Sequence, residues 1–575
     1  MALTALPFEI ESHIFDGMWL GDLHSLSLAC HRLHAAVNPR LWADLNFVVS
    51  HNEWTLDDYV RYGPIFKTPE PILSKRDLVT CISAHDRAFR FWRAAAIVRD
   101  ETWALVKSLK ADTCVLDGSL IFYELPREPG YIQNYEFPLH EGQFARRIAR
   151  ILDAGKLLSL RRAEIELSGS DMGCGVFNFP ALQNFCRSLG RHAGYYANSF
   201  EVVIVAHSLS FLESFAAGSP LAMRTVRILK VNILEWSEHI DRLRRLLSDA
   251  PKLESLSIGA ATGVVRDPTY NTSFSEDTDN EDGRYISDSL QDAIAALPSL
   301  QIFAGNIECG LRQLHSDCFP HHLRCNWAPA TLKRLFIDAN GLRSRHYGIF
   351  WRNFASLRLP GLDLLTIISG RREVHTRVDE VFFHDLKILQ LEVDRETPVG
   401  LAEAIFRANP GLVHINTSIY SEEAIAVLVD NNRRKPTLRT FRAPSSHGTR
   451  LSGFDFAGIE RLAEAAATTL RILQIPLEPV ALLTEAFVRS VIISAEMLEV
   501  FLVYLGGTQG ANYSSGDPSK PTPGDPSLSR YIQRRRTNKG TDGVLDWKGY
   551  MIVSAAIGAF SIDVDAFRRD CGAST

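Results

Sequence analysis

Apolar residues in the second half of the chain recur in one frame, Leu-x-x-Leu-x-Leu. Its last three positions alternate apolar and polar, as a half-buried strand does. Clear copies start at Leu253, Leu332, Leu362, Leu386, Leu438, Leu470 and Leu498, with weaker ones at Val226, Leu300 and Leu412. From Leu332 to Leu498 the starts step by 30, 24, 26, 26, 32 and 28 residues. Pro251, Pro298, Pro360, Pro410 and Pro436 stand just upstream of a copy, where proline stops the foregoing helix. Between copies, apolar residues at helical spacing predict helices over Ser237–Leu247, Ile286–Leu297, Gly400–Ala408, Glu422–Leu428, Ile459–Ala467 and Pro479–Ser494. Strand, loop, helix and return make one coil. A single coil cannot bury its apolar face, so the coils must stack, with their strands in a parallel sheet along a concave surface and helices outside.

The frame and its period resemble those of leucine-rich repeats, slightly long and uneven. The asparagine that closes each turn in regular repeats of that family is mostly missing. Asn340 and Asn416 are the nearest candidates, so the resemblance implies a degenerate horseshoe. Upstream, from His51 to about Gly218, the pattern is weaker. Helical patches are expected over Asp86–Val98, Thr102–Lys110 and Phe144–Leu152, and strands over Leu160–Leu167 and Phe200–Val205. Residues 271–283 are acidic and polar, and residues 506–543 are rich in Gly, Ser, Pro and charge; both read as unstructured. Arg534, Arg535, Arg536 and Lys539 within the latter read as a solvated charge run. Residues 544–567 return to an apolar pattern and are expected to dock back as a cap.

The first 42 residues compress amphipathic helices and a tight turn into a short stretch. Pro7 suits a first helical position, Ile10 and Ile14 share a face, and Asp22 is placed to cap a second helix carrying Leu23, Leu26, Cys30 and Leu33. Asn38-Pro39 repeats the cap-plus-proline start before Leu41-Trp42. The elements Leu6-Pro7-Phe8-Glu9-Ile10, Ile14-Phe15, Asp22-Leu23, Leu26-Ser27-Leu28-Ala29-Cys30-His31-Arg32 and Leu41-Trp42 closely resemble the F-box. Leu33 stands where an aromatic is common, Gly17 sits late in the first helix, and Trp19 replaces a frequent proline. The resemblance implies an α/β chain with a small three-helix F-box followed by an irregular leucine-rich-repeat solenoid, as in fungal F-box proteins. The corresponding division is 1–50 F-box, 51–219 linker and poorly formed early repeats, 220–505 solenoid, 506–543 loop, and 544–575 cap or tail.

By the same resemblance, the F-box docks on a Skp-type adaptor, and through it on cullin and RING subunits of an SCF ubiquitin ligase. The repeats would hold a target protein. The residues implied in adaptor contact are Leu6, Pro7, Ile10, Ile14, Leu23, Leu26, Leu28, Cys30, Leu33, Leu41 and Trp42, with Trp42 as the main anchor. Two other readings are a scaffold that binds adaptor outside ubiquitination, and an enzyme with its site in residues 51–220.

Composition changes this picture little. A charge of −5 from 62 Lys+Arg and 67 Asp+Glu is too balanced to suggest nucleic acid as partner. The N-terminus has no signal-peptide pattern, and no apolar run reaches 18 residues, so an intracellular protein, cytoplasmic or nuclear, without membrane association is expected. Nine scattered cysteines do not form a disulfide framework. Cys309, His315, Cys318, His321, His322 and Cys325 cluster, but their spacing fits no common zinc site. Phosphate-loop, metalloprotease and nucleophile-elbow motifs are missing. The expectation is a binding protein, not an enzyme, with no cofactor or metal.

Overall fold

A computed structural model describes residues 29, 31–47, 100–112, 115–116, 142–167, 179–206, 209–232, 236–259, 293–306, 331–338, 351, 354–355, 358–369, 377–393, 400–417, 421–443, 456–476, 484–504, 551–554 and 559–571. Contacts divide the chain into two units, Met1–Leu300 and Gln301–Thr575.

In the first unit each strand is preceded by a helix. Helix α1 (His31–Ala43) runs directly into β1 (Asp44–Phe47), and α2 (Asp100–Trp103) precedes β2 (Ser108–Asp112). Then come α3 (Gln143–Asp153) with β3 (Arg162–Leu167), and α4 (Phe179–Tyr195) with β4 (Glu201–Ala206). Helix α5 (Leu209–Ala216) leads to β5 (Val226–Asn232), and α6 (Trp236–Ser248) to β6 (Ser255–Gly259). All six strands are parallel and adjacent in chain order. Their register stacks Phe47, Ala111, Ile165, Ile204, Leu229 and Leu256 in one row, each no more than 4% exposed. Such burial is worth about 1.5–3 kcal/mol per large side chain.

Two expectations are corrected here and one is sharpened. The strands expected over Leu160–Leu167 and Phe200–Val205 are β3 and β4, and with β2 they carry the parallel ladder upstream of residue 220 in repeats without the leucine frame. They were hard to see because alanine and valine fill positions where later copies have leucine: Ala111, Ala163, Val202 and Ala206 are all fully buried. A register shift at Val202/Val203 further obscures the frame. Residues Thr102–Lys110 are not one helix. Trp103, Val106 and Leu109 are spaced as on a helix, yet they lie on α2, a turn and β2. Finally, Asn38-Pro39 starts no helix; α1 continues through Pro39 without a break. Proline cannot donate to the carbonyl four residues back, that of Ala35; the Arg40 guanidinium donates to the next carbonyl, that of Ala36, at 3.3 Å.

The second unit repeats the plan in the frame read from sequence. Its strands are β7 (Ile302–Asn306), β8 (Arg334–Asp338), β9 (Leu364–Ser369), β10 (Ile388–Val393), β11 (His414–Thr417), β12 (Thr440–Arg442), β13 (Ile472–Pro476) and β14 (Val500–Tyr504), all parallel. The register stacks Phe303, Leu335, Leu365, Leu389, Ile415, Phe441, Leu473 and Phe501, the fourth position of every copy. The first-position leucines from Leu332 to Leu498 are at most 2% exposed. The repeat frame read from sequence is thus kept in the strand register. Helices α7 (Leu401–Ala408), α8 (Glu422–Arg434), α9 (Phe456–Ala465) and α10 (Glu485–Ser494) return the chain between later strands. Ser421 and Thr484 cap α8 and α10, accepting the Ala424 and Phe487 amides at 3.0 and 3.2 Å.

The C-terminal residues close this sheet. Strand β16 (Ala559–Ile562) pairs antiparallel with β14 and with β15 (Met551–Ser554). Helix α11 (Val564–Asp570) follows, and its Arg568 donates to the carbonyls of Leu498 at 3.2 Å and Ile492 at 3.4 Å, and to that of Ala495. The last carbonyls of α10 thus gain a cationic partner.

A pH dependence is built into the first unit. His192, 7% exposed on α4, has an Nε2 with no hydrogen-bond partner. Burial lowers its pKa to about 4, against the raising effect of the Leu160 carbonyl and with a smaller lowering by Arg161. The folded protein therefore holds a neutral imidazole that unfolding releases to take a proton. Stability is lost as pH falls from about 6.5 to about 4, by about 2–3 kcal/mol in all. Urea midpoints of wild type and His192→Phe at pH 7.5 and 4.5 should show a smaller acid loss in the variant. Equal losses would remove His192 as the cause.

Candidate functional site

Alternation along each strand leaves a second face, opposite the buried leucines. Over β1 to β3 of the first unit this face is charged and internally paired, whereas β4 carries Val203 and Val205 there. Ser108 donates to Asp44 at 2.5 Å, Lys110 meets Glu164 at 2.8 Å, and Arg162 meets Glu164 at 3.7 Å, across β1, β2 and β3. Along the edge where strands start, Arg227 bridges Glu201 and Glu254, each on a neighbouring repeat, which holds its guanidinium above its ordinary pKa. Such exposed pairs add little stability each, but they fix the charge pattern of the surface.

In the second unit one row of this face is mainly polar and largely uncharged, beside a row that is mainly apolar (Ile302, Leu364, Ile388, Ile472 and Val500). The fifth position of successive copies gives Thr366, Gln390, Asn416, Arg442 and Gln474, brought side by side by the register of β9 to β13. Phe336 on β8 and Leu502 on β14 flank this row. In the adjacent row the His414 Nδ1 lies 3.0 Å from the Thr440 hydroxyl. Thr366, Gln390, Thr440 and Arg442 are no more than 4% exposed. The Thr366 hydroxyl and the Asn416 Oδ1 are shielded with no hydrogen-bond partner. Each such group costs about 1–3 kcal/mol, and packing alone would favour the apolar residues found at the row's ends. The row thus gives up stability for polarity. Each member of the row is the residue four after a starting leucine, a position the repeat frame leaves open.

Asn416 belongs to this row and closes no turn, contrary to the sequence expectation; Asn340 lies outside the described residues. The turn-closing asparagines are Asn409 and Asn432, both buried at helix ends.

Of the residues implied in adaptor contact, Leu6, Pro7, Ile10, Ile14, Leu23, Leu26, Leu28 and Cys30 lie outside the described residues. Leu33, Leu41 and Trp42 lie on α1. Leu33 is buried with Val37, with Leu41 partly buried against them. The Trp42 ring meets that of Trp103 edge-on, centroids 5.8 Å apart, so it packs against the first repeats. The cluster Cys309–Cys325 and the expected helix at Asp86–Val98 also lie outside the described residues, as do residues 271–283 and 506–543. Among the described residues, no group of three His, Cys, Asp or Glu side chains is placed to hold a metal. Among them, too, no helix is long and apolar enough to cross a membrane. Burial pushes the Cys186 thiol up, which keeps it un-ionised.

No family model matches the chain, and no curated protein does. Among solved structures it is similar to the leucine-rich repeat-containing protein LegL7 from Legionella pneumophila, at 10% identity and a TM-score of 0.23, over 78% of this chain and 96% of that one. The repeat assignment rests on this chain's own strand register.

Proposed function

We propose that the protein is the target-recognition subunit of an SCF-type ubiquitin ligase. Residues 1–50 grip a Skp-type adaptor, and the polar face of the repeats holds a target protein. The observation that carries this reading is the run from Leu6-Pro7-Phe8-Glu9-Ile10 to Leu41-Trp42, which passes through α1 straight into the first repeat strand. A direct helix-to-strand connection of that kind suits a subunit that links a ligase to a target. In this role the chain makes and breaks no bonds. It raises the local concentration of target lysines near a reactive thioester.

The test is co-expression with the adaptor and cullin, followed by purification through the repeat protein. Wild type should carry both, and Leu6→Ala/Pro7→Ala/Ile10→Ala should lose both while keeping its melting temperature. Trp42→Ala is a poorer probe, because its ring also packs on Trp103. Wild-type protein free of adaptor would sink the proposal, and adaptor without cullin would move the protein to a scaffold role.

A further inference from the structure

On the edge of the first unit where strands begin, the turns before β4, β5 and β6 enclose a hollow of about 620 Å³. Tyr195, Tyr196, Asn198, Leu221, Arg224 and Lys252 line it. A smaller hollow of about 290 Å³ shares Asn198 and Lys252 and reaches the Glu201–Arg227–Glu254 bridge. Tyr195 is 82% exposed and Leu221 39%, two large apolar groups turned to solvent in one groove.

The aromatic wall is braced from behind. Tyr195 meets Tyr196 edge-on at 4.8 Å, and Tyr196 lies 4.8 Å from His192, which itself meets Phe200 at 5.3 Å. The Arg161 guanidinium sits 5.2 Å from the Tyr196 centroid, fixed by the Leu158 and Leu160 carbonyls at 2.9 and 3.0 Å. A ring held this way gives contact area with little ordering cost. The groove's cations are differently placed. The Lys252 ammonium donates to the Ala197 carbonyl at 3.0 Å, one bond of the three it can make. Arg224 is exposed and, among the described residues, its guanidinium makes no ion pair or hydrogen bond. The two acids nearby, Glu201 and Glu254, are already engaged by Arg227.

We infer that this groove is a docking site for an acidic peptide segment of a partner protein. An apolar or aromatic side chain of the peptide lies against Tyr195 and Leu221, and its Asp or Glu carboxylates meet Arg224 and Lys252. Cations on separate turns suit carboxylates spread along a peptide better than one compact anion. The groove shares no residue with the polar row or with residues 1–50, and it does not rest on the proposed ligase role.

The experiment is fluorescence anisotropy on the full chain, with a labelled 12-residue peptide of Asp and Glu around a central Phe-Leu pair. Wild type should bind, and binding should weaken as salt rises. Arg224→Glu/Lys252→Gln should weaken binding by about tenfold and Tyr195→Ser by several-fold, with unchanged melting temperatures and unchanged adaptor binding. A peptide with Asn and Gln in place of its acids should bind no better than the double variant. No binding by wild type, or equal binding by the variants, would overturn the proposal. So would binding that appears only when Glu276, Asp277, Asp279, Glu281 and Asp282 of this chain are neutralised, because the groove would then serve the chain's own acidic run.

Discussion

Gly190→Ala is expected to destabilise the first unit, although in an exposed helix the same change stabilises by about 1 kcal/mol. Gly190 lies on α4 against the end of α5. A Cβ there would stand 1.9 Å from the Phe215 carbonyl oxygen and 2.9 Å from its carbon, closer than real Cβ contacts come. The obstacle is backbone, so no rotamer change relieves it. One turn on, a Cβ at Gly194 would meet the Ser219 hydroxyl at 2.0 Å, so two glycines four apart set the approach of α4 to α5 and the turn beyond it. Overpacking costs about 1–3 kcal/mol where the core can yield, and Gly190→Val should exceed that range. Thermal or urea unfolding of both variants gives the measurement. A Gly190→Ala protein as stable as wild type would mean that α4 does not lie this close to α5.

The second unit was the more legible in sequence. Leucine at position one and leucine, isoleucine or phenylalanine at position four repeat there, and each pair lands in the two buried rows. In the first unit the same geometry is filled by Ala163, Val202 and Ala206. The volume lost at the strands is made up by large groups on helices, Phe144, Phe185, Phe211 and Phe215 among them, all at most 1% exposed. A frame search for leucine misses such repeats because packing conserves total volume, not the residue at each position. Helices α3, α6, α7 and α9 lie within three residues of their expected bounds, but α4 and α5 were not expected, and α8 runs six residues past the expected Leu428, to Arg434.

The candidate sites were less legible for a different reason. Thr366, Gln390, Asn416, Arg442 and Gln474 lie about 25 residues apart and become neighbours only through register, which sequence does not give until the strands are paired. The groove around Tyr195 lies further from reach. It joins Tyr195, Leu221 and Lys252 from three turns of different length, of which only the last carries the repeated proline, Pro251. Tyr195 alone reads as one more aromatic of a core helix. Its exposure follows from its place at the last position of α4, where the chain turns towards β4.

Asn432→Leu should be among the most damaging substitutions in the second unit. The starting leucine of each repeat turns from helix to strand, and its amide lies too early for the sheet ladder. Four repeats solve this with main chain: the amides of Leu253, Leu412, Leu470 and Leu498 donate to carbonyls three or four residues back, at 2.9 to 3.3 Å. Two repeats use a buried asparagine instead. The Asn409 Oδ1 accepts the Leu386 amide at 3.0 Å, and the Asn432 Oδ1 accepts the amides of both Thr437 and Leu438 at 3.1 Å. Each asparagine also donates its Nδ2 to a carbonyl of its own helix, Ile405 at 2.9 Å and Leu428 at 3.0 Å. Leucine has similar size and no acceptor, so Asn432→Leu leaves two amides unpaired, one of them fully buried, at about 1–3 kcal/mol each. Asn409→Leu strands one and should cost about half as much. Urea unfolding orders the two variants, and amide exchange over residues 435–443 locates the effect. In Asn432→Leu the Thr437 and Leu438 amides should exchange faster while the strand amides of β10 keep their protection. Equal loss in both variants, or exchange raised evenly across the unit, would show that the asparagines act through side-chain volume and not through the amides they hold.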